Sequence, residues 1–189
     1  MRLKLCAAAI TLAVAAACGG GTAGNGAGGG KLPAEWAASF CGAAAGLQTS
    51  LGSLSSSFQS AVGQSANLDT AKNLMVQFLT NAATSATALR DTVKALGPIK
   101  GVADGKGIQS VILQGAQKAV DVFQSAVNDA NALPTDSPAS FGAAATALGT
   151  KLEQGGNEID AFFSQLDGKF KDSTAKSAFE NSTACKNLQ

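Results

Sequence analysis

From Pro33 onward, apolar side chains recur at steps of three and four residues over four long stretches, the spacing of one face of a helix. Trp36, Phe40, Leu47, Leu51, Leu54, Phe58 and Val62 mark the first stretch. Ala43 or Ala44 fills its gap, and Pro33 sits in the first turn, where a missing N–H costs nothing. The second begins at an Asn67 or Asp69 cap, carries Leu68, Leu74, Met75, Phe78, Leu79, Leu89, Val93 and Leu96, and stops at Gly97-Pro98. The third runs from about Gly105 to Ala132 through Ile108, Ile112, Val120, Phe123 and Val127. After Leu133-Pro134, Asp136 or Ser137 caps a fourth with Phe141, Leu148, Leu152, Ile159, Phe162 and Leu166. Gly155-Gly156 is expected to weaken or bend it, and Gly168 to end it. A short helix is expected over 173–181. Strand signals are nearly absent: there is no Tyr, and no alternating β-branched run longer than Val111-Ile112.

Stretches of about 26 to 30 residues make helices roughly 40 to 45 Å long. Short connections place neighbours antiparallel. The expected fold is therefore all-α, an up-down-up-down antiparallel four-helix bundle over 33–189 with a short C-terminal helix. In that topology the fourth helix returns to the end where the first began. Residues after 168 then lie beside residues 34 to 41, and Cys185 comes within reach of Cys41.

The chain before the bundle reads differently. Residues 1–17 have a basic start (Arg2, Lys4), an apolar middle and small residues Ala15-Ala16-Ala17. That apolar run is too short to span a bilayer, which takes about 20 residues. Cys18 follows at once, so 1–17 reads as a lipoprotein signal peptide and Cys18 as the acylated first residue of the mature chain. The pattern is imperfect, because Ala15 stands where Leu is preferred, and simple cleavage after an Ala-x-Ala would leave Cys18 a plain thiol. Cysteine parity bears on the choice. Of Cys6, Cys18, Cys41 and Cys185, the first leaves with the leader. Acylation of Cys18 then leaves Cys41 and Cys185 as one pair for a disulfide in an oxidising compartment. Residues 18–32 read as the lipidated Cys and a Gly-rich flexible tether, spanning about 20 Å as a coil. The expected address is the outer face of the cytoplasmic membrane, held by the lipid anchor, or the medium if Cys18 is unmodified.

The chemistry on offer is narrow. Fourteen basic residues, less Arg2 and Lys4, stand against 13 acidic ones, so the mature chain carries −1. There is no basic field for nucleic acid and no polybasic run for anionic lipid. The absence of His removes His-based triads, His acid–base catalysis and most zinc, copper and non-haem iron sites. Glu153, Glu158 and Asp160 are the closest carboxylate grouping, and their helical spacing reads as a solvated face. Gly101 to Gly107 lacks the spacing of a phosphate loop and reads as a plain helix connection. Trp36 reads as core rather than as a surface anchor. No catalytic residue, metal or cofactor is expected.

Trp36-Ala37 with Phe40-Cys41, Leu96-Gly97-Pro98, Gly105-Lys106, Ala132-Leu133-Pro134-Thr135-Asp136 with Phe141, and a late Ala184-Cys185 resemble small secreted proteins and lipoproteins of actinobacteria. The resemblance implies export, a helical fold and a Cys pair. It brings no biochemical activity and no site residue. Two functional expectations remain. The first is a non-enzymatic binding module for another envelope protein, with an exposed apolar or Gly/Ala-rich strip near residues 63–67 and 132–138. The second is a carrier holding a lipid or other apolar small molecule in a cavity of the bundle.

Overall fold

The computed structural model describes residues 30–62, 67–170 and 173–186. The leader, Cys18, most of the tether and the 63–66 turn lie outside the described residues. The described chain forms α1 (Pro33–Val62), α2 (Leu68–Leu96), α3 (Gly105–Asn131), α4 (Pro138–Lys169), α5 (Ser173–Asn181) and α6 (Thr183–Lys186), with no strand among the described residues.

The ends are set by local chemistry. Asn67 caps α2, its side-chain oxygen accepting from the Thr70 N–H at 2.8 Å. Gly97 ends α2 with φ +67°, a backbone state that glycine takes without strain, and its N–H donates to Lys94 O. Ser137 caps α4, its Oγ accepting from the Ser140 N–H at 3.2 Å, and Pro138 occupies the first turn.

The long helices pack in chain order, α1 on α2, α2 on α3 and α3 on α4. Among the described residues, α1 and α4 share no extended seam. That flank of α1 is taken by α5 and α6, which pack on α1 and on each other. The core has two aromatic or aliphatic ends joined by a thin middle. At one end Trp36, Phe40 and Cys41 of α1 meet Leu89, Val93 and Leu96 of α2, Ile108 and Ile112 of α3, Ile99 of the loop and Ala175 of α5. At the other, Leu79, Ala126, Ala130, Leu133 and Leu148 tie α2, α3 and α4 together. Ala86, Ala119 and Val120 form the middle, where small side chains let α2 and α3 approach closely. Burying one large apolar side chain stabilises by roughly 1.5–3 kcal/mol, so the aromatic end outweighs the alanine layer.

Two local expectations are corrected. α4 runs unbroken through Gly155-Gly156 and on to Lys169, past Gly168. Gly155 is buried against Val122 of α3, and a Cβ there would lie 2.6 Å from Val122 Cγ1. The glycine is a close-approach residue, not a bend. The four-residue α6 is the other addition.

Candidate functional site

The end of the molecule where α1 starts has the most built structure. Gly30 to Leu32, assigned by composition to the tether, is held there. The Lys100 N–H donates to Lys31 O at 2.9 Å. Gly30 lies so close to Pro98 O that any Cβ would collide with that carbonyl. The supporting loop, 97–104, is more than a connection. Its Ile99 is buried in the core, and Gly97 O accepts from Trp36 Nε1–H at 2.9 Å. Gly105 lets the loop close, since the Ile99 carbonyl occupies the space a Cβ would need. The result is a rigid platform, made from the end of α2, the loop and the start of α3, on which the chain leading from Cys18 lands.

Trp36 is fully buried, as its core spacing indicates. Its ring lies 5.6 Å from that of Phe40 and 5.8 Å from that of Phe179 of α5, and Phe170 stands 5.1 Å from Phe179. Such aromatic pairs contribute about 0.5–1.5 kcal/mol each beyond their buried area. Cys41 and Cys185 are bonded, with Cα atoms 4.9 Å apart and a sequence separation of 144. The bridge ties α6 to α1 at the platform end. Closing a loop that long stabilises by up to roughly 5 kcal/mol on the chain-entropy model.

Two open recesses line the other side of the α2–α3 pair. One, of about 490 Å³, is walled by Thr80, Thr84, Thr87, Gln124 and Asn128 over Ala83 and Val127. The other, of about 460 Å³, lies among Arg90, Asp91, Lys94, Leu113, Gln114 and Gln117. Both are open surface grooves, and neither is an enclosed cavity of the sort a lipid carrier needs.

Among the described residues no cluster of buried carboxylates forms. No charged side chain is buried among the described residues. Glu153, Glu158 and Asp160 are all exposed, Glu158 pairing with Lys118. Among the described residues no group of His, Cys, Asp and Glu is placed to hold a metal ion. No helix of the described residues is long and apolar enough to cross a membrane.

The apolar strip expected at the far end falls partly on 63–66, outside the described residues. In the described part Leu133 is buried, while Ala132, Asp136 and Pro138 are exposed. Among the described residues an exposed large hydrophobic stands at the opposite end: Leu32, 59% exposed, next to Lys31. Sequence reasoning missed Leu32, Ile99 and Lys100. The signal available for Leu32 was its place between Lys31 and a helix-starting proline, a position that no core periodicity requires. Comparison with protein-family models, curated proteins and solved structures finds no match.

Proposed function

We propose that this chain is an envelope lipoprotein: a non-enzymatic binding module on an antiparallel four-helix bundle, anchored through acylated Cys18. The resemblance to actinobacterial secreted proteins and lipoproteins belongs to the same proposal. The observation that carries it is the Cys41–Cys185 bond. A disulfide is the mark of an oxidising compartment, and this one uses both cysteines of the helical domain. Cys18 is then the one thiol left after the leader, placed where a lipoprotein carries its diacylglyceryl group.

Partners are recognised at a surface, since the described recesses are open. Fractionation of a host expressing the chain and its Cys18→Ala variant tests the anchor. The wild-type chain is expected with the membranes and the variant in the medium. Recovery of both in the medium would overturn the reading.

A further inference from the structure

The platform end gathers charge that the sequence scatters. Lys31 and Lys100 are joined through their backbones, and Lys106 follows Gly105, whose carbonyl accepts from the Ile99 N–H at 3.4 Å. Lys94, Lys176 and Lys186 lie on the last turn of α2, on α5 and on α6 at the same end. All six lysines are exposed. Among the described residues the acidic groups near them are Glu35, Asp91, Asp104 and Glu180; Asp91 is paired with Arg90 at 2.7 Å and Glu180 with Lys176 at 3.8 Å. The far end is the reverse. Asp69, Asp129 and Asp136 stand there against Lys72 and Lys151. Lys151 is paired with Asp129 at 2.8 Å, and Lys72 Nζ donates to Leu133 O. A chain of nearly zero net charge is thus electrically lopsided along its length. Leu32 follows Lys31, whose carbonyl accepts from the Lys100 N–H, and its side chain is exposed. An exposed aliphatic side chain at a lysine-bearing end suits a layer that is anionic at its surface and apolar beneath.

We infer that the platform around Leu32, Lys31, Lys100 and Lys106 is a docking surface for anionic lipid headgroups, so that the domain sits on the bilayer with its acidic end outward. The inference deepens the anchored reading and rests on it for one point, that the chain approaches the bilayer from this side. From Cys18 to Gly30 the chain reaches at most about 40 Å. It lands on the platform itself, so an anchor at Cys18 brings this end to the membrane first. The lysines then supply attraction, at about five-fold in affinity for each one near an anionic surface. Leu32 supplies the apolar contact. The docking fixes which faces of the bundle remain open to envelope partners: the far end and the α2–α3 grooves.

The test uses the chain from residue 18 with Cys18→Ala, so that no acyl chain contributes. All described packing lies within residues 30–186, inside that chain. Binding is measured by co-sedimentation with vesicles of phosphatidylglycerol or of phosphatidylcholine. Binding to phosphatidylglycerol alone is expected, with loss at about 1 M salt, where the screening length falls to about 3 Å. Lys31→Gln/Lys100→Gln/Lys106→Gln is expected to weaken it about 100-fold. Leu32→Ser is expected to weaken it about ten-fold. Lys72→Gln/Lys151→Gln, at the far end, is expected to leave it unchanged. Equal affinity for the two lipids, no binding to either, or equal loss in both lysine variants would overturn the inference. The anchor is judged separately, from the mass of the host-made protein. An unacylated host protein whose Cys18→Ala chain still binds phosphatidylglycerol overturns the anchor alone. An acylated one whose Cys18→Ala chain binds neither lipid overturns the docking surface alone.

Discussion

Gly155 and Gly156 are neighbours in α4, yet replacing each with alanine should move stability in opposite directions. At Gly156 a Cβ would meet nothing within 4 Å. There Gly→Ala should stabilise by about 1 kcal/mol, the ordinary helix-propensity gain. At Gly155 the same gain meets a wall. The new Cβ would lie 2.6 and 2.7 Å from the two methyl carbons of Val122 and 3.2 Å from its Cβ. Ordinary carbon contacts are about 3.5–4.0 Å, so the pair must separate by about 1 Å. Valine has one strongly preferred rotamer in a helix and cannot swing clear. Overpacking of this kind costs about 1–3 kcal/mol. Gly155→Ala should therefore be neutral to about 2 kcal/mol less stable than wild type, and about 1–3 kcal/mol below Gly156→Ala. Melting followed by far-UV circular dichroism reads the difference. At about 2–4 °C per kcal/mol for a domain of this size, the two variants should separate by roughly 2–12 °C. Val122→Ala in the Gly155→Ala background should recover part of the loss as a favourable coupling. Equal gains at both positions would refute the close α3–α4 approach.

Other consequences follow from the platform end. Trp36→Ala should cost about 3–5 kcal/mol, since the side chain is fully buried between α1, α2 and α5. Trp36→Phe should cost less and leave Gly97 O without its donor, at about 1–3 kcal/mol, measured by urea unfolding. Reduction, or Cys41→Ser/Cys185→Ser, should lower stability by about 2–5 kcal/mol and open α5–α6 to proteolysis ahead of α2 and α3. Asn67→Ala should remove about 1 kcal/mol, because α2 loses the cap on its Thr70 N–H.

The helices were legible because each carries an apolar face at helical steps, with proline, glycine or an Asx cap at its ends. The approach of Cys185 to Cys41 was legible from the same pattern, since the expected helix lengths and short connections put residues after 168 beside residues 34 to 41, and the two cysteines are bonded. Three features were not. Gly155 reads as a helix breaker because sequence shows its missing side chain and not Val122 facing it. Ile99 is a single apolar residue between Pro98 and Lys100, with no periodicity to mark it as core. The lysines of the platform come from separate segments of chain, so no basic run announces them.

The central claim is an acylated, disulfide-closed chain at the envelope, and intact mass of the protein from its own host's membranes tests it most directly. The account predicts a chain beginning at Cys18 that carries a diacylglyceryl group and gains about 2 Da on reduction, as one disulfide takes up two protons and two electrons. An unmodified chain in the medium, or one whose mass does not change on reduction, would contradict it.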